Sequence, residues 1–362
     1  MANTPLKITT QDPFIPLNSL ILVTGINGLI ASHVADQLLA AGYRVRGTVR
    51  NKYRCAWVEP FFTSRYGAAN RLELVQVPDI TAPGIWNAHV AGVSAVITVA
   101  GVAWLDDRDV PKAVNQELKC LYGLLHAAKT AGSDTVKAFI YTSSSWAAYT
   151  PKVGVPAGTL TEKSWNQGAV ALAEDPSIPD AEKGLAPFMA IKVKVEEALW
   201  DWVAKEKPTF TFNAMLISTV IGPILDPENQ SASTAGLVRA LYDGKPKQAL
   251  EVIATLGPSW FIDARDVGRL YLGVLVSGLT GSRVYGFAER FNWKQPLDLF
   301  KDLYPERKEW VELPGSYQCD ESDILADIPL SLLRAVGQEG WTSLKESIKD
   351  AAESFVSTGP SG

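Results

Sequence analysis

The sequence predicts an α/β fold, a doubly wound parallel sheet covered by helices on both faces and followed by a smaller C-terminal lobe. Three observations predict it. Short apolar runs without period-two alternation recur up to Ser145, helical patterns separate them, and beyond Ser145 the chain breaks into shorter, turn-punctuated segments. Strands buried on both faces read as continuous apolar runs, and a parallel pair needs a crossover long enough for a helix.

The elements follow in order. Leu20–Thr24 (LILVT) is a buried strand and Leu29–Ala41 a helix; Arg44–Val49, Leu72–Val77 and Ala95–Ala100 are further strands. Val114, Leu118, Leu121 and Leu125 recur at helical spacing between Val110 and Ala131, and Ala138–Thr142 (AFIYT) is a fifth strand. Residues 150–187, rich in Pro, Gly, Ala and acidic side chains, read mostly as loop. A helix follows at about Ala186–Lys205, then a strand at Thr209–Ile217. Gly222-Pro223, Asp226-Pro227 and Gly257-Pro258 then break the chain into the short elements expected of a smaller covering lobe, while Val267–Val276 reads as a helix returning to the main domain. The expected organisation is an N-terminal extension over 1–18, the main domain with its long helix over 19–217, the lobe over 218–355 and a frayed tail over 356–362.

Composition bounds the function. The 362 residues carry 34 Lys+Arg against 39 Asp+Glu, a net charge of −5, so no basic field is available to hold nucleic acid or an anionic membrane. At 47% hydrophobic and 20% charged residues the chain is a folded globule. Cys55, Cys120 and Cys319 lack disulfide or zinc spacing, and His33, His89 and His126 are too few and too scattered for a metal site. The opening MANTPLKITTQDP has no apolar core of a secretory signal, and the apolar stretch near Val93–Leu105 falls short of the ~20 residues that span a bilayer. A cytoplasmic protein is expected. Without an exposed heptad, a monomer acting on a small-molecule substrate is expected as well.

The strand LILVT runs into GINGLIA and then a helix. The spacing Gly25-x-x-Gly28-x-x-Ala31 supplies a tight turn, a bare backbone that a pyrophosphate can approach and a small residue for close helix–strand packing. Asn27, Leu29 and Ile30 lie in this turn and at the helix N-terminus, whose free N–H groups suit phosphate, and Ala100 ends the neighbouring strand. A dinucleotide is the expected ligand. The acidic residue that selects NAD at the end of the second strand is missing; RVRGTVRNKYR offers Arg44, Arg46, Arg50, Lys52 and Arg54 instead. A guanidinium there pairs bidentately with a ribose 2′-phosphate, so NADP(H) is expected, with Arg50 first and Lys52 and Arg54 as helpers or as a solvated loop. Asp79 and Ile80, after the third strand, stand where an adenine edge would be bracketed or where an aspartate makes a simple turn.

VTGINGLIASHV (23–34), GYRVRGTVR (42–50), FIYTSSSWAA (139–148), KSWN (163–166), the helix with Lys192 and FIDARDVG (261–268) together resemble the extended short-chain dehydrogenase/reductases, in particular the dihydroflavonol reductase and aldehyde/carbonyl reductase branch. The resemblance covers nearly the whole chain. It implies a Rossmann-type domain with a C-terminal substrate-binding lobe, NADP(H), and reduction of a bulky ketone or aldehyde. In that family a Ser holds the carbonyl oxygen, a Tyr gives it a proton, and a Lys holds the nicotinamide ribose and lowers the Tyr pKa. The Ser matches Ser144 and the Lys matches Lys192, but the Tyr position, four residues before the Lys, is Phe188.

A phenyl ring has no proton to give. Ile191, where a small residue is usual, and Ile217, where a proline is common, depart as well, so the whole site reads as diverged. Tyr149, five residues past Ser144, is a candidate substitute acid or an ordinary loop tyrosine; Tyr141 reads as core and His126 as structural. Trp104, Trp146, Trp260 and Phe261 are candidate walls for a large, flat, partly apolar substrate, and Trp165 joins the same aromatic cluster. Asp263 and Asp266 read as helix-capping. Two functions remain open on this sequence: a reductase with a replaced acid, or a non-redox isomerase, dehydratase or cyclase using the same cleft with the dinucleotide structural or lost. A dinucleotide sensor is a third reading.

Overall fold

The computed structural model describes residues 6–67, 70–102, 105–155, 158–230, 232–313 and 318–356. In chain order the first half holds β1 (Leu20–Val23), α1 (Leu29–Ala40), β2 (Arg44–Val49), α2 (Val58–Tyr66), β3 (Leu72–Gln76), α3 (Asn87–Val90), β4 (Ala95–Thr98), α4 (Val110–Thr130) and β5 (Ala138–Ser144). The second half holds β6 (Thr159–Leu160), α5 (Gln167–Glu174), α6 (Ala186–Glu206), β7 (Thr211–Ile217), β8 (Thr219–Ile221), α7 (Ser233–Asp243), α8 (Lys247–Thr255), β9 (Ser259–Asp263), α9 (Ala264–Ser277), β10 (Arg283–Gly286), β11 (Glu289–Phe291), α10 (Lys294–Leu303), β12 (Asp323–Ile324), α11 (Asp327–Ala335) and α12 (Leu344–Val356).

Seven parallel strands form one sheet in the order β10-β7-β5-β4-β1-β2-β3. This is the doubly wound, Rossmann-like arrangement that the apolar runs predict. The strand order reverses between β1 and β4, and a ligand crevice belongs at the carboxyl ends there. Both faces are covered: Ile21 and Val23 of β1 join one hydrophobic core with α1 and α9, while Leu20 and Leu22 join a second core with α4 and α6. That double burial is why β1 reads as LILV without polar alternation.

The helix predicted near Val267–Val276 packs on α1 so closely that a Cβ at Gly268 would lie 2.5 Å from the His33 carbonyl oxygen. The N-terminal segment is tied to the same side by backbone bonds from Lys7 to Val336 (3.2 Å) and from Ile15 to Leu275 (3.0 Å). Residues 150–187 hold more order than a loop: Asn166 caps α5, its side chain accepting from the Ala169 N–H, and α5 packs against α6. A small sheet, β11-β9-β8, lies beside the main one. Among the described residues no helix is long and apolar enough to cross a membrane.

Candidate active site

At the carboxyl ends of β1, β4, β5 and β7 a cavity of about 690 Å³ opens, and the turns that follow those four strands line it. Its floor at β1 is the glycine turn. Gly25 adopts φ +69°, and a Cβ there would stand 3.1 Å from the Ala100 Cβ, so only glycine fits both the conformation and the space. The Thr24 hydroxyl accepts from the N–H groups of Val99 (2.9 Å) and Ala100 (3.0 Å), and the Gly25 N–H donates to Thr48 (3.1 Å). The β1 turn is thereby bolted to both neighbouring strands. Gly28 precedes α1 in extended backbone, and no side chain caps the helix. Gly28, Leu29 and Ile30 present this bare N-terminus to the cavity, and Ala100 faces it; Asn27 is half-buried within the turn.

The residues at the end of β2 stand apart from this cavity. Arg46 is committed to Glu73 (2.8 Å) and to the carbonyls of His89 and Ala91. Arg50, Lys52 and Arg54 are exposed and have no ion-pair partner among the described residues, and Asn51 accepts from the N–H groups of Tyr53 and Arg54 to shape their loop. Three exposed cations without an ion-pair partner among the described residues fit a ligand bearing a phosphate at this edge. The strained glycine, the uncapped helix and these cations together suit a dinucleotide with a 2′-phosphate. Asp79 accepts from the N–H (2.8 Å) and the hydroxyl (2.7 Å) of Thr81, bonds that hold its carboxyl below the usual carboxylate range. The Ile80 carbonyl accepts from Trp86 Nε1 (3.1 Å). Both are engaged in a local turn.

The chemical end combines β5 and α6. Ser143, Ser144, Phe188 and Lys192 line the cavity together, with Ile217 of β7 in register beside Ser144. Ser144 Oγ accepts from the Trp146 N–H (3.2 Å), which leaves its own hydrogen free to donate. α6 begins with Pro187 in its first turn and places Phe188 and Lys192 one turn apart on one face. The Lys192 ammonium lies 5.1 Å from the Phe188 ring centre, and the Trp146 ring meets Phe188 edge-on at 5.8 Å. Lys192 is the one ionisable side chain among the described residues that line the cavity. Leu237, Val252, Leu256, Pro258 and Trp293 also line the cavity, interspersed with the hydroxyl side chains of Thr219, Ser233, Thr234 and Ser259.

Several expected residues lie elsewhere. Tyr149 is buried, packs 6.2 Å from Phe287, and lines a separate cavity of about 620 Å³ between α5 and α6. Burial and the Asp320 carboxylate raise its pKa, so it is a poor acid facing the wrong space. Trp260 is also core: its Nε1 donates to Ser322 (3.4 Å) and its ring lies under the Arg290 guanidinium at 5.0 Å. Phe261 is fully buried. Side chains alternate along β9, so Trp260 and Phe261 face opposite sides, and each is covered by a different hydrophobic core, while Pro258 and Ser259 just before them reach the cavity. Trp165 lines the second cavity, and Trp104 lies outside the described residues. Tyr141 is buried, and His126 packs edge-on against Trp202 at 5.5 Å. Asp263 caps α9 and pairs with Arg265; Asp266 accepts from Thr342 and Gln338. The walls contributed by α7 and α8 escaped the sequence reading; Gly257-Pro258, a turn directly beside them, was the available signal.

The sequence profile described as "NAD dependent epimerase/dehydratase family" matches residues 21–285. The chain is 36% identical over 337 residues to aldehyde reductase 2 of Sporidiobolus salmonicolor, covering 93% of this chain and 96% of that one. It is 34% identical over 348 residues to NAD-dependent epimerase/dehydratase terH of Aspergillus terreus, covering 96% and 100%. In three dimensions it is similar to the crystal structure of yeast methylglyoxal/isovaleraldehyde reductase Gre2 complexed with NADPH, at TM-score 0.75 and 22% identity over 93% of this chain and 98% of that one.

Proposed function

The chain belongs to the NAD dependent epimerase/dehydratase family, and on that premise we propose that it is an NADP(H)-dependent reductase of a bulky, partly apolar or aromatic ketone or aldehyde. One observation carries the reading. A single cavity joins the bare glycine turn at one end to Ser144 and Lys192 at the other, under walls without a carboxylate or an arginine among the described residues. The relatives named as reductases support it.

Gly25, Gly28 and the α1 N-terminus would hold the pyrophosphate, Arg50 with Lys52 and Arg54 the 2′-phosphate, and Lys192 the nicotinamide ribose. A bound nicotinamide would supply the hydride. Ser144 donates its free hydrogen to the carbonyl oxygen and is worth most where negative charge gathers on that oxygen. Because Phe188 has no proton to give, water held between the Lys192 ammonium and Ser144 would supply it. Loss of a fixed phenol acid typically costs ~10²–10⁴ in rate, so turnover is slow. The apolar wall of Leu237, Val252, Leu256 and Trp293 takes the body of the substrate by area and shape.

Phe188 itself favours a second reading. With no phenol among the described cavity-lining residues, the same pocket suits an isomerisation, dehydration or cyclisation in which Ser144 polarises a carbonyl and no hydride moves. Incubation of the unmodified protein with NADPH and a panel of aromatic carbonyl compounds separates the two. Cofactor oxidation with a product two hydrogens heavier supports the reductase, whereas an isomeric or dehydrated product with unchanged cofactor supports the second reading.

A further inference from the structure

Three adjacent hydroxyls, Thr142, Ser143 and Ser144, end β5, and the hydrogen bonds around them differ. The Thr142 and Tyr271 hydroxyls bond each other at 2.6 Å. Ser143 donates to Glu196 Oε2. Ser144 spends only an acceptor site, on the Trp146 N–H. Glu196 stands one turn beyond Lys192 on α6, so Phe188, Lys192 and Glu196 form one stripe, the first two in the cavity and the third beneath it.

Glu196 is wholly buried and its charge is matched by Arg283 of β10, Nε to Oε1 at 2.6 Å. Trp200 Nε1 also donates to that carboxylate, at 3.3 Å. The other end of Arg283 donates to the carbonyls of Glu162 and Ser164, and its guanidinium lies 3.8 Å from the Trp165 ring centre. One residue further, Asn166 Nδ2 donates to the Trp146 carbonyl at 2.9 Å. A chain of contacts thus runs from α6 through the buried pair to the 162–166 loop and back to the turn that orients Ser144. Buried pairs seldom add net stability over apolar side chains of the same volume, which points to a role in specifying geometry.

We propose that the Glu196–Arg283 pair is a positioning device: by accepting the Ser143 hydrogen bond and anchoring the 162–166 loop, it makes Ser144, rather than Ser143, the serine that meets a substrate carbonyl. The inference rests on the carbonyl-binding reading above. Glu196 and Arg283 touch no ligand themselves.

Infrared difference spectra test it with acetophenone carrying a heavy-carbon carbonyl, bound beside oxidised NADP so that no turnover occurs. The unmodified protein is expected to give one red-shifted carbonyl band, which Ser144→Ala removes and Ser143→Ala leaves in place, since the Ser143 hydrogen is already committed. The double variant Glu196→Met/Arg283→Met removes both charges together and orphans neither. Its band is expected to split or broaden as Ser143 becomes a second donor, and adding Ser143→Ala is expected to restore a single band. Reduction by the double variant should fall about 10²-fold in kcat, as for misplacement of a reacting group, with KM changed far less. No shifted band in the unmodified protein would refute the carbonyl site and this inference with it. A shifted band that survives unchanged in the double variant, or one displaced by Ser143→Ala alone, would refute the positioning role and leave the carbonyl site standing. The Ser143→Ala arm keeps the proposal refutable even where the double variant does not fold.

Discussion

Restoring the missing hydroxyl should raise carbonyl reduction sharply. In Phe188→Tyr the ring is already seated against the cavity, 5.8 Å edge-on from Trp146 and with the Lys192 ammonium 5.1 Å from its centre, so the change adds an oxygen without moving α6. A positioned general acid is worth ~10²–10⁴ in rate, or about 3–5 kcal/mol. Against this stands the desolvation of one hydroxyl, about 1–3 kcal/mol when left unpaired. The neighbouring ammonium keeps that cost near its lower end, and about 2–4 kcal/mol remains, a gain of roughly 30- to 1000-fold. Initial rates of NADPH oxidation over a panel of aromatic ketones and aldehydes, with the alcohol quantified by mass, measure it. A folded variant with undiminished NADPH affinity and no faster alcohol formation would refute the idea that the acid is what the site lacks.

Other outcomes follow from the same geometry. Arg50→Ala should weaken NADPH binding by about 10- to 100-fold, a charge-assisted hydrogen bond's ~1.5–3 kcal/mol, and leave NADH nearly unchanged; equal affinities for both dinucleotides in the unmodified protein would contradict the role of Arg50. Ser144→Ala should lower kcat by ~10²–10³, the usual loss of one oxyanion donor, and an unchanged kcat would move the carbonyl oxygen elsewhere. His33 is fully buried, and burial, outweighing the opposing charges of Asp36 and Asp263, depresses its pKa. As pH falls, the unfolded chain therefore binds the proton first, and stability declines below the unfolded value of about 6.5. Urea unfolding at successive pH values should show this decline, flattened in His33→Gln; the same slope in both proteins would assign the acid sensitivity to other groups.

How much the sequence reveals depends on how local each feature is. LILVT followed by GINGLIA carries its own explanation, because strand, strained glycine and uncapped helix lie within a dozen residues and need no distant partner. Phe188 and Lys192 are equally legible, since one helical turn places them on one face whatever else the fold does. Trp260 and Phe261 are different. Both look like wall residues in an aromatic-rich segment, yet they sit on opposite faces of β9, and a separate core covers each face. Leu237, Val252 and Leu256 have the apolar helical spacing of core residues, and only the placement of α7 and α8 over the crevice makes them walls. The choice among Thr142, Ser143 and Ser144 rests on Tyr271, Glu196 and Trp146, two of which lie far along the chain. Glu196, one turn past Lys192 on α6, is the visible trace of that arrangement, and the adjacent Glu197 hides it.

The proposed function turns on hydride transfer to a carbonyl held by Ser144. The most direct measurement uses NADPH deuterated at the transferring carbon of the nicotinamide, with product analysis by mass. One deuterium on the carbinol carbon is the predicted result, with labelled alcohol formed ~10²–10³ times more slowly by Ser144→Ala. A converted substrate without deuterium, formed while the reduced cofactor persists, would contradict it.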